Sequence, residues 1–153
     1  MIPSDESRLK EIIDLSFSPF LRFFALHSLR DDGQVFVTET QDAVAVGFSK
    51  LIKFQIRGAT FGCILWIAVH PQFRHKGIAT ALVNAGVECL KHAEARVVFA
   101  SVQRRNIASH TVFSRQGFRK MGFIELWGLF GWRIFKFYRE IWLAPGEVVL
   151  IHD

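Results

Sequence analysis

Cysteine, proline and tyrosine are all scarce in this 153-residue chain, at two, four and one. The longest apolar runs, Gly62–Val69 and Leu126–Trp132, fall far short of the ~20 residues needed to span a bilayer. The start, Met1-Ile-Pro-Ser-Asp-Glu, lacks a basic segment followed by an apolar one, so no secretory leader is expected. Cys63 and Cys89 have neither a CxxC partner nor histidine-rich spacing, and both read as buried reduced thiols. No grouping of His, Cys and acid has metal-ligand spacing, so no metal is expected. The low Pro and Gly content excludes collagen-like and linker-rich chains, and a hydrophobic half with only 22% charge excludes disorder. What remains is a soluble, cytoplasmic chain forming one domain over residues 1–153, with no membrane partner. Its length suffices to bury a core without staples.

The net charge of +5 is unevenly placed. Between Arg96 and Arg139 stand Arg96, Arg104, Arg105, Arg115, Arg119, Lys120, Arg133, Lys136 and Arg139, against the single acid Glu125. Such a half attracts polyanions or a phosphate-rich cofactor. Nucleic acid is disfavoured, because the interleaved Arg and aromatic pattern of base readout is missing.

Hydrophobic period orders the elements. Ser4 or Asp5 caps a first helix with Leu9, Ile12, Ile13 and Leu15 or Ser16 inside, and a second helix follows Pro19. Gln34–Glu39 and Ala43–Phe54 read as strands around a turn at Thr40-Gln41-Asp42, and Thr60–Val69 as a strand covered on both faces. A helix runs from Arg74-His75-Lys76-Gly77 to about His92, a strand over Arg96–Val102, and a helix from the N-cap Asn106 to Gln116, with Gly117 suited to its left-handed end. Phe118–Leu126 and Trp132–Leu143 read as two antiparallel strands, and Val148–Ile151 as a short pairing tail. The class is α/β or α+β: a mixed, mostly antiparallel sheet of six or seven strands with helices on both faces and a central β-α-β crossover.

The crossover carries the chemistry. In Ile67-Ala-Val-His-Pro-Gln-Phe-Arg-His-Lys-Gly-Ile-Ala-Thr80 a strand enters a short loop that becomes a helix. The first N–H groups of a helix lack internal partners and sit at the positive end of its dipole. Gly77 allows a phosphate to approach the backbone, Ala79 adds little bulk, and Arg74, His75 and Lys76 add positive charge. A pyrophosphate cradle fits these features; a helix start with merely solvated cations fits them too. Neither GxxxxGK[ST] nor GxGxxG is present.

Arg74-x-x-Gly77-x-Ala79 resembles the [QR]-x-x-G-x-[GA] signature of the GNAT family of N-acetyltransferases, and Ile67-Ala-Val-His-Pro71 its preceding strand. Asn106-x-x-Ser109-x-x-x-Phe113-x-x-x-Gly117-Phe118 is similar to the family's N-x-x-A-x-x-x-Y-x-x-x-G-F at the same spacing. The family's first strand would have only Met1–Pro3 to occupy and is absent or vestigial. The resemblance implies acetyl-CoA as co-substrate and direct acetyl transfer to an amine of a small molecule or a protein. It implies that Ile67, Ala68 and Val69 pair with the pantetheine arm. Arg74, His75, Lys76, Gly77, Ile78, Ala79 and Thr80 would form the pyrophosphate cradle, and Asn106 would contact the arm, with Phe113 in the same motif.

The chain departs from the family where a proton must move. Glutamates found four residues before the Ile-Ala-Val triplet, or five before the Asn, are here Cys63 and Ser101, and the usual tyrosine acid is Phe113. The one tyrosine, Tyr138, falls on a late strand in this reading. A lysine-like amine costs about 4–5 kcal/mol to present neutral at pH 7, an α-amine only about 1. The expected acceptor is therefore a low-pKa amine, or else water, His110 or His70 serves as base. An acyl-CoA-binding module without turnover is the other reading. The aromatic-rich C-terminal strands, with Trp127, Leu129, Phe130 and Trp132, are expected to form a substrate surface or a homodimer contact.

Overall fold

The computed structural model describes residues 3–153, with side chains from Glu6 onward. Two helices, α1 (Pro3–Ser16) and α2 (Pro19–Ser28), precede β1 (Gln34–Glu39), β2 (Ala45–Ile56) and β3 (Ala59–Val69). A 3-10 turn at Pro71–Phe73 leads to α3 (Ile78–His92), β4 (Val98–Gln103) and α4 (Ile107–Arg115). The chain closes with β5 (Arg119–Lys120), α5 (Phe123–Phe130), a 3-10 turn at Gly131–Arg133, α6 (Ile134–Glu140) and β6 (Glu147–His152). Six strands stand in the order β1-β2-β3-β4-β6-β5, and only β3 and β4 pair in parallel.

Alternation along β2 sets the layers. Leu51 packs with Ile64, Val83, Leu90, Phe113 and Phe118 beneath α3 and α4. Phe48 faces α1 with Leu9, Ile12 and Ile13, while Phe54 faces α5 and α6 with Phe61, Phe99, Phe130 and Phe137. Helices therefore cover both faces. Burying such side chains is worth roughly 1.5–3 kcal/mol each, and β3, covered on both faces, is correspondingly the nearly continuous apolar run.

Several expectations change. Of the expected strand pair over 118–143 only Arg119–Lys120 is a strand, and the rest is mainly the helices α5 and α6: Leu126, Phe130, Ile134, Phe137 and Ile141 recur at spacings of four, four, three and four and are all buried. Glu125 caps α5 by accepting the Gly122 N–H at 3.0 Å. The short pairing segment expected at Val148–Ile151 is β6, which runs between β4 and β5. Of the alternatives Leu15 and Ser16, Leu15 is exposed and Ser16 half-buried, and Cys89 is only half-buried, its thiol donating to Gln34. Helix α3 begins at Ile78, leaving Arg74–Lys76 as loop. The vestigial strand at Met1–Pro3 falls on residues 1–2, outside the described residues, and Pro3 already belongs to α1. Ser4 and Asp5 lie within that helix rather than ahead of it.

The turn before β1 closes over a buried cation. Lys50, on β2, donates to the Asp31 carbonyl at 2.8 Å. Burial pulls its pKa below the ordinary lysine value, partly offset by Asp31 and Asp32. Gly33 makes the approach feasible, since with φ +130° an added Cβ would lie 2.5 Å from the Leu51 carbonyl oxygen.

Candidate active site

Strands β3 and β4 pair only over Gly62–Ile64 and Val98–Ala100. At that point the register of β3 against β2 shifts by one residue, between Lys50 and Leu51. Beyond it β3 follows β2 and β4 follows β6, so the two parallel strands part. The edge of Leu65–Val69 facing β4 has no ladder partner, and Ile67, Ala68 and Val69 all lie along this gap. Unpaired strand edges inside a protein call for an extended polar ligand or water.

At one end of the gap lies the loop to α3. His75 and Gly77 both take left-handed conformations, φ +61° and +77°. A Cβ added at Gly77 would meet no protein atom within 4 Å, so the space above the helix mouth is open. The first N–H groups of α3, at Ile78, Ala79 and Thr80, have no protein acceptor among the described residues. Open space, bare amides and a positive dipole end fit the pyrophosphate of a CoA thioester. Arg74 does not supply charge there. Its guanidinium turns back, Nε donating to the Val69 carbonyl at 3.1 Å and a terminal nitrogen to Ser16 Oγ at 3.3 Å. Lys76 is exposed, with Nζ 5.2 Å from the centre of the Phe73 ring.

Asn106 caps α4, its side-chain oxygen accepting the Ser109 N–H at 3.1 Å, which leaves its amide N–H₂ free to donate elsewhere. Phe113 is buried against Phe118, with ring centres 5.0 Å apart, so it acts as core beneath the gap.

The histidines separate. His70 is buried, Nδ1 accepting the Gln72 N–H at 3.3 Å and Nε2 3.6 Å from Glu11 Oε1. Both ring nitrogens are turned to protein. His110 is half-buried, with Nε2 3.2 Å from the Gln103 carbonyl. A carbonyl only accepts, so Nε2 is the donor in this contact and Nδ1 is the nitrogen left for another partner. Burial, with the Glu147 carboxylate contributing, pushes the Cys63 thiol far above its usual range, which excludes it as a thiolate at neutral pH. Tyr138 sits on α6, where burial raises its hydroxyl pKa.

On the opposite face of the sheet from α3, a cleft of about 520 Å³ is lined by Ser18, Phe20, Leu21, Gln103, Ala144 and Pro145. It brings the α1–α2 connection, the end of β4 and the α6–β6 connection together. Beside it stands an acid that sequence patterns did not suggest. Glu147 pairs with Gln103 across the strands, and its Oε2 accepts the N–H of cleft residue Ala144 at 2.9 Å. Glu147 and Ser101 lie on the same face of neighbouring strands as diagonal neighbours, Ser101 standing opposite Val149. No local spacing could reveal this, since it depends on β6 lying beside β4.

Comparison with known proteins bears on the family and the fold. The profile of the acetyltransferase (GNAT) family matches residues 5–118. No curated protein matches the sequence. Among solved structures, PH1933 from Pyrococcus horikoshii OT3 superposes with a TM-score of 0.72 at 17% identity, covering 100% of this chain and 92% of its own. The ribosomal-protein-S18-alanine N-acetyltransferase of Escherichia coli gives 0.67 at 14% identity, covering 99% and 88%. A chain of the NatC complex bound to Gag peptide and CoA gives 0.68 at 18% identity, covering 98% and 91%. At these identities the structural likeness concerns the fold.

Proposed function

The chain belongs to the acetyltransferase (GNAT) family, and we propose that it moves an acetyl group from acetyl-CoA directly onto an amine of low pKa. The observation that carries this reading is the unpaired edge of Leu65–Val69, which has the open helix mouth at Gly77 at one end, with a cleft on the other face of the sheet. Amides at Gly77–Thr80 would hold the pyrophosphate, and the free β3 edge would hold the arm and donate to the thioester oxygen as charge develops there. The amine nitrogen would enter from the cleft, its bond to the carbonyl carbon forming as the C–S bond breaks. The proton lost by nitrogen would pass to Glu147, directly or through water, and the thiolate would leave as the thiol after taking up a proton from solvent.

The described residues lining the cleft carry no charge, which suits an α-amine better than a polycation. An alanine acceptor on a protein, as in the name of the E. coli neighbour, belongs to this class. Expelling a thiolate of pKa near 8.5 costs only about 2 kcal/mol at pH 7, so turnover survives the replacement of the tyrosine acid by Phe113.

The test is thermal stabilisation by acetyl-CoA, followed by CoA release against a panel of peptide α-amines, lysine side chains and small amines. Stabilisation with release on α-amines is expected. Stabilisation without release on any amine would favour a CoA-binding module, a reading supported by Cys63, Ser101 and Phe113 standing where relatives carry acids. No stabilisation would remove both.

A further inference from the structure

We propose that the α5–α6 unit is an interfacial surface that rests on an anionic lipid bilayer. While Leu126, Phe130, Ile134, Phe137 and Ile141 hold this unit to the sheet, a second apolar stripe points away from it. Ile124 is 85% exposed, Trp132 78%, Phe135 65% and Phe123 59%, all within thirteen residues. Phe123, Trp127 and Trp132 form one contiguous aromatic cluster in it, the Trp127 ring lying 5.9 Å from Phe123 and 5.0 Å from Trp132. The helices cannot turn to hide it without exposing the buried stripe. Soluble surfaces rarely keep such a patch without a use for it.

Charge selects the occupant. Arg57, Arg133, Lys136 and Arg139 are exposed in and around the unit, and an atom added at Gly131 would lie 3.6 Å from the Arg57 guanidinium. The two acids of the unit are already engaged, Glu125 with Arg119 at 2.8 Å and Glu140 with Arg139 at 3.7 Å. A second copy seated on this face would oppose like charges, which disfavours a homodimer here. Tryptophan and phenylalanine between arginines and lysines suit the headgroup boundary, where indole N–H groups stay hydrated and apolar faces enter the acyl region. No helix among the described residues is long and apolar enough to cross a membrane, so contact would be peripheral.

The full chain is mixed with vesicles of phosphatidylcholine alone or with phosphatidylglycerol added, and binding is read by co-sedimentation and tryptophan emission. Expected is binding to the anionic vesicles with a blue shift, weakened by salt and at least tenfold weaker on neutral vesicles. Ile124→Ser with Trp132→Ser should abolish it, and Arg133→Gln with Arg139→Gln should weaken it roughly tenfold or more. Unchanged helical circular dichroism in both variants keeps misfolding apart from lost binding. Absence of binding at low salt, binding indifferent to both variants, or a wild-type dimer that the Ser variant dissociates would each overturn the proposal.

Discussion

The Nε of Arg74 donates to the carbonyl of Val69 at 3.1 Å, and the same guanidinium reaches Ser16 Oγ. The residue that opens the Arg-x-x-Gly signature thus ties its loop to the end of β3 and to α1, where a bare positive charge at the helix mouth would otherwise be read. Arg74→Lys keeps the charge but cannot span both acceptors in the same geometry. It should lose nearly as much thermal stabilisation by acetyl-CoA as Arg74→Ala. Full recovery in the lysine variant would show that charge alone is what matters at this position.

Gly77 adopts φ +77° beside open space. An alanine there meets no protein atom, so the folding cost is limited to about 1–2 kcal/mol of left-handed backbone strain. The new Cβ would occupy the ground proposed for phosphate. Gly77→Ala should fold with a small drop in melting temperature and bind acetyl-CoA more than tenfold less tightly by calorimetry. Wild-type affinity in this variant would place the phosphates elsewhere.

Glu147 is fixed by a reciprocal turn, its carboxylate accepting the Ala144 N–H while its own N–H donates to the Ala144 carbonyl. Glu147→Gln preserves an oxygen for that bond and removes the basic site. Its kcat should fall by about 10²-fold or more with little change in KM for acetyl-CoA, and most for lysine-like amines. A kcat within twofold of wild type across the amine panel would shift the proton to His110 or water.

The buried ammonium of Lys50 has its pKa pulled below 10.5 by burial. Between that lowered value and 10.5 the unfolded chain binds more protons than the folded one, so stability rises with pH through this window. Tyr138 acts in the opposite sense above pH 10, because burial raises its folded pKa and stability falls as the unfolded phenol ionises. Lys50→Met should flatten the alkaline rise in the urea midpoint and leave the later fall. A rise of unchanged slope in Lys50→Met would assign it to another group.

Local signals made the crossover legible. The apolar run Thr60–Val69 ended by Pro71, the Arg74–Ala79 spacing and the Asn106 cap each act within a few residues, and the structure keeps all three elements. The part of 118–143 beyond β5 misled because aromatic and β-branched residues favour strands, and the N-cap of α5 is Gly122 in place of a Ser, Thr, Asp or Asn. Its helical spacing from Leu126 to Ile141 was present, but exposed Ile124, Trp132 and Phe135 masked the period by making both faces apolar.

The sequence by itself therefore determined the central β-α-β unit and the bare glycine at its turn, since caps, prolines and glycines act on their immediate neighbours. Only the tertiary structure decided where Arg74 points, that β6 brings Glu147 beside Gln103, and which stripe of α5 and α6 meets solvent. Those outcomes depend on contacts between residues distant in the chain, whose free energies no local pattern encodes.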